Sequence, residues 1–144
     1  MCETASDRLL RLCAVEIDRL MNEHNMLVWS SWQWGSEEMP EYCHGRVDFD
    51  EIPPRVLMAE HLVDACLVPD ATESDCVALL CCWLHEACHL HAGRQEGHGP
   101  KWQSAMQRLG FLRPRHASRL HWQMAPPLEQ RLTDLARVLL KRRA

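Results

Sequence analysis

The sequence predicts an α+β domain, because apolar residues at helical spacing open the chain, short strand-like runs follow, and helical spacing then returns. Two helices with clear start and stop signals, near residues 72–91 and 100–110, anchor that order. The expected sheet is small and either mostly antiparallel or mixed.

The first helix spans about 7–24, with Leu9, Cys13, Ile17 and Leu20 or Met21 on one stripe and Ser6 placed to cap it. Met26 to Trp29, with Trp32 and Trp34 nearby, is a strand candidate because aromatics suit a pleated surface. Gly35 to Glu41 has the composition of a loop. Arg46 to Phe49 alternates as a second strand, and Arg55 to Ala59, after Pro53-Pro54, is a third. Thr72 followed by Asp75 makes a capping box with Asp in place of Glu, and Val77, Cys81, Leu84 and Cys88 form the stripe of the helix it starts. The polar segment Gly93 to Gly99 separates that helix from the next. Pro100 suits a first helical position and Gly110 a stop, with Trp102, Met106 and Leu109 on the buried face. A last helix starts near Pro127, with Leu128, Leu132, Leu135 and Leu139 on one side.

The 144 residues suit a single domain, 1–144, with a core of about 7–110 and a basic helical extension over 111–144. Hydrophobic residues at 47% and charged residues at 25% are ordinary for a globular protein. The longest apolar run, Val77 to Leu84, is far too short for a bilayer, and the first residues lack the basic-then-apolar pattern of a signal peptide. A cytoplasmic protein with no membrane partner is the expectation. Eight cysteines without a Cys-x-x-Cys pair provide no zinc ribbon, and Cys76, Cys81, Cys82 and Cys88 crowd one helix. Reduced, buried thiols are therefore expected rather than a disulfide framework.

The net charge of −4 conceals a polarity: residues 1–100 hold 6 Lys/Arg against 18 Asp/Glu, and residues 101–144 hold 10 against 2. Arg113, Arg115, Arg119, Trp122, Arg142 and Arg143 are the candidate nucleic-acid contacts, with DNA as the partner such a footprint fits. The competing expectation is that these cations pair with the acidic body.

His85-Glu86-Ala87-Cys88-His89 is an H-E-x-x-H sequence inside the best-marked helix. Residues four apart share a helix face, so both imidazoles can hold one ion, while Glu86 can serve as general base toward its water. Zinc is the ion this pattern points to, with the water's pKa lowered toward about 7. A catalytic site takes a third protein ligand. The metzincin spacing, and an H-x-x-x-H endoribonuclease with a third His at the same offset, would both need His at the position of Gln95. Glu129 is nearly the only later carboxylate, and no second motif supports it. His91 falls on another side of the helix. His98, between Gly97 and Gly99 and separated from His89 by a loop of eight residues, can fold back onto the ligand face.

Residues 83–89, followed by Gly97-His98-Gly99-Pro100-Lys101-Trp102 and then Met106 with Leu109-Gly110, resemble the SprT-like metalloprotease family over about residues 79–110. That family carries H-E-x-x-H and then G-H-G-P-x-[FW], and it includes proteases of DNA–protein crosslinks. The resemblance implies a small zincin-like fold, one Zn2+ held by His85, His89 and His98, and Glu86 as the catalytic residue. It implies hydrolysis of peptide bonds in protein or peptide substrates, including DNA-associated ones. Bacterial members commonly carry a C-terminal zinc ribbon, for which this chain has no Cys-x-x-Cys pair, and the loop from His89 to His98 is shorter than in many relatives. A non-catalytic, zinc-containing adaptor for nucleic acid is the alternative, although a structural zinc needs no Glu86. His121 and Arg119 are candidates for stabilising the oxyanion, and Arg55–Ala59 is expected to be the sheet edge that pairs with a peptide.

Overall fold

The computed structural model describes residues 2–26, 32–114 and 122–143. Helix α3 (Glu73–Ala92) forms the centre, and its composition explains why. Cys76, Leu79, Leu80, Cys82, Trp83, Ala87 and Leu90 are buried along with three of the four stripe residues, so the helix is apolar on nearly every side and has to be enclosed. Val77, the fourth residue of the predicted stripe, is only partly buried. The predicted capping box is present: Thr72 Oγ1 accepts from the Asp75 N–H at 3.2 Å, and Asp75 Oδ2 accepts from the Thr72 N–H at 2.8 Å. Thr72→Ala is expected to lower stability by about 1 kcal/mol, read as a shift in the urea midpoint at unchanged slope. An unshifted midpoint would mean that solvent replaces this cap without cost.

Helix α1 (Ala5–Glu23) buries its predicted stripe of Leu9, Cys13, Ile17, Leu20 and Met21. Its cap is Thr4 rather than Ser6, because the Thr4 hydroxyl accepts from the Asp7 N–H at 3.0 Å. The sheet that follows holds β1 (Gln33–Glu37), β2 (Gly45–Asp48) and β3 (Arg55–Ala59) in the order β1-β3-β2. Of the two expected arrangements it is the mixed one rather than the mostly antiparallel one: β1 runs parallel to β3, with Gln33 opposite Arg55, while β2 is antiparallel, with Gly45 opposite Met58. Side-chain alternation sets which face is buried but carries no strand direction.

Two further expectations change. The segment from Gly35 on was expected to be a loop, yet Gly35 to Glu37 belong to β1; with little apolar patterning of its own, this strand is held by backbone pairing to buried β3. Arg55–Ala59 is the central strand rather than an edge, with Val56 to Ala59 buried, because its consecutive apolar residues require cover on both faces. The edges are β1 and β2. In the strand candidate at 26–29, Leu27 to Trp29 lie outside the described residues. Helix α2 (Glu60–Ala65) follows β3 with no intervening turn and no side-chain cap, so it had no start signal to read.

Helix α4 (Pro100–Leu109) has the predicted bounds, buries Trp102, Met106 and Leu109, and ends at Gly110 with a left-handed φ of 116°. Helix α5 (Pro126–Arg142) lies in the segment expected to be a basic extension, yet it buries Leu128, Leu132, Ala136 and Leu139 in one core that reaches back to Leu9. Leu135, the remaining stripe residue, is partly buried. Its cations meet the acidic body: Arg131 grips Glu23 of α1 at 2.8 and 2.9 Å, and Arg137 bonds Glu73 of α3 at 2.9 Å. All eight cysteines are free thiols, six of them buried, as expected from their placement. Among the described residues no helix is long and apolar enough to cross a membrane.

Candidate metal centre

His85 and His89 stand one turn apart on α3, and His98 arrives from the loop joining α3 to α4. His89 Nε2 lies 3.1 Å from His85 Nε2, and His98 Nε2 lies 3.3 Å from it. One ligand atom from each residue falls within 4.8 Å of the other two, so the three can hold a metal ion. Four-coordinate zinc with bonds of about 2.0–2.1 Å sets ligand nitrogens roughly 3.3–3.4 Å apart, close to both short spacings. The donor chemistry fits as well. Three imidazoles bring ring nitrogens close together, and a cation between them would be met by three neutral nitrogen donors.

The floor of this site is Trp102 of α4, only 1% exposed. Its ring centroid lies 4.9 Å from that of His85, 5.3 Å from His89 in a stacked arrangement, and 4.3 Å from His98. Its indole N–H donates to the His85 carbonyl at 3.2 Å, tying α4 to α3 at the first of the three histidines. Trp122 also packs against His85, with ring centroids 5.6 Å apart. His85 Nδ1 is buried and has no hydrogen-bond partner among the described residues, while Nε2 of the same ring faces the cluster.

Glu86 is the single buried charged residue among the described ones. One carboxylate oxygen, Oε1, sits 3.7 Å from His85 Nε2. Strand β2 passes directly over it: a Cβ added at Gly45 would lie 3.1 Å from Glu86 Cγ and 3.0 Å from the Leu57 carbonyl oxygen. Only glycine permits that approach without displacing a neighbour.

Burial governs the charge states. It lowers His85 to about 3, with the neighbouring imidazoles of His89, His98 and His44 adding to the effect. It lowers His89 to about 4, with His98 adding and a backbone bond at Gly97 opposing. Both rings are neutral at pH 7, the form a metal requires. Burial raises the Glu86 carboxyl to about 8, and a cation bound beside it would act in the opposite direction. The same cause raises the Cys81, Cys82 and Cys88 thiols, which suits them to packing rather than ligation.

Thus His85, Glu86, His89 and His98, named from sequence, stand together. Glu129 is exposed in the first turn of α5 and is not in the cluster, and His91 is an exposed residue outside it. The basic candidates scatter. Arg143 donates to the carbonyls of Cys66 and Val68 at 2.6 and 2.9 Å, and Arg142 lines a groove between α1 and α5 with Arg11 and Glu16. Arg113 is exposed, whereas Trp122 is half-buried against His85 and Phe111. Arg115, Arg119 and His121 lie outside the described residues. Sequence reasoning missed the approach at Gly45 and the three-ring contact of Trp102. An isolated glycine opening a strand was the available signal for the first. Comparison of the chain with family models, characterised proteins and solved structures finds no match.

Proposed function

We propose that this chain is a zinc-dependent metallopeptidase of zincin type, as its resemblance to the SprT-like family implies. The observation that carries the proposal is Glu86: a carboxylate held 3.7 Å from a ligand nitrogen and almost fully buried. A purely structural metal has no use for such a group, whereas hydrolysis needs a base that can take a proton and return it. When bound, zinc supplies Lewis acidity toward a water and a substrate carbonyl. His85, His89 and His98 would hold and orient the ion. Glu86 takes the proton of the attacking water at a carboxylate oxygen and delivers it to the leaving nitrogen. Strand β2, an edge of the sheet among the described residues that passes over Glu86, is where an extended peptide would pair, in place of the central strand β3.

Purified chain is expected to carry one zinc per molecule and to cleave an unfolded protein such as casein. A chelator should abolish cleavage, and stoichiometric Zn2+ should restore it. Cleavage that survives metal removal, or zinc without any cleavage, would count against a peptidase. Repeating the assay with single-stranded DNA tests whether the basic residues 113–143 direct it to DNA-associated proteins.

A further inference from the structure

The third ligand poses a problem that the other two do not. His85 and His89 are fixed by a rigid, buried helix, but His98 is exposed and lies in a short loop between helices. Ordering such a segment costs conformational entropy that metal binding would otherwise have to offset. The contacts around His98 show what orders it in advance.

Helix α4 starts with glycine at its cap and proline after it, so no cap side chain meets its first free N–H groups. Glu96 supplies the missing acceptor from outside the helix. Its Oε1 accepts from the Lys101 N–H at 2.6 Å, where a carboxylate also complements the helix dipole. Its backbone carbonyl accepts from the Gly99 N–H at 3.0 Å. The donors held by Glu96 are thus the residue immediately after His98 and a residue three beyond it. Gln103, one turn into α4, donates its amide to the His98 carbonyl at 2.7 Å. Gly99 belongs to the same device: a Cβ there would stand 2.7 Å from Glu96 Oε1 and 2.8 Å from its carbonyl oxygen.

We propose that Glu96 is the positioning residue of the third metal ligand, holding the backbone on the C-terminal side of His98, with Gln103 as its partner, so that the imidazole meets the His85–His89 pair. This rests on the metal centre proposed above but not on its hydrolytic activity. Glu96 does not itself join the cluster of convergent donors.

The test is zinc affinity of the full chain, measured by competition with a chromophoric chelator, together with the visible spectrum after loading with Co2+. Outer partners of metal ligands typically change affinity by about 10–100-fold, and Glu96→Ala is expected to weaken zinc binding within that range and to diminish the four-coordinate Co2+ band. Glu96→Gln keeps an acceptor oxygen for the Lys101 N–H and should recover most of the affinity, which a general charge effect would not allow. The deciding variant is the double mutant. In a His98→Ala background, Glu96→Ala should cost little further affinity, because its target is already gone. An unchanged affinity in Glu96→Ala, or an equal loss with and without His98, overturns the role of Glu96. A wild-type chain that binds no zinc overturns the metal centre itself. Zinc binding without peptide cleavage overturns only the peptidase proposal.

Discussion

Glu86→Gln is expected to leave zinc bound and to lower peptide hydrolysis by about 10²–10⁴-fold, the usual range for loss of a general base, with a larger loss if Glu86 also positions the water. The amide has the shape of the carboxylate, so it fits the space beneath Gly45, where contacts to Cγ are already close. It cannot accept the proton that attack releases. Because the three ligands are untouched, zinc content should match wild type, and kcat should fall while KM changes little. The measurement is steady-state cleavage of a fluorogenic peptide beside metal analysis of the same sample. Wild-type turnover in Glu86→Gln would remove the observation on which the peptidase proposal stands and favour a structural metal. Glu86→Asp makes a useful contrast: it retains a base but withdraws it by one methylene, so partial activity is expected.

Trp102→Ala should have the largest effect on folding stability among substitutions near the site. Truncating a fully buried Trp costs about 3–5 kcal/mol, a large share of a total that is commonly about 5–15 kcal/mol. For a chain of this size that corresponds to a fall in Tm of roughly 10–20 °C, measured by thermal unfolding in the presence of a chelator so that metal does not mask it. The cavity would open under all three imidazoles, since the indole touches each of them. Weaker zinc binding should therefore accompany the lost stability. Trp102→Phe separates the two contributions. The ring platform survives in part, whereas the N–H bond to the His85 carbonyl is lost. A Tm within about 3 °C of wild type in Trp102→Ala would show that the site closes over the gap.

Features that depend on nearby residues were legible in the sequence alone. The α+β order, the Thr72–Asp75 capping box, the bounds of α4 between Pro100 and Gly110, and the shared face of His85 and His89 all follow from chemistry within one or two helical turns. His98 was also within reach, because glycines on both sides and a helix start two residues later mark a loop able to turn back. Tertiary structure decided the rest, through contacts between residues far apart in the chain. The parallel pairing of β1 with β3 joins Gln33 to Arg55, and nothing in a weakly patterned five-residue segment announces its partner. The central place of β3, the closeness of β2 to Glu86, and the indole beneath three imidazoles arise only when the core closes. The acidic and basic halves of the chain were visible as a charge asymmetry. Their meeting at Glu23–Arg131 and Glu73–Arg137 had to wait for α5 to bury its leucines, because burial of the apolar face, and not the exposed ion pairs, sets where that helix lies.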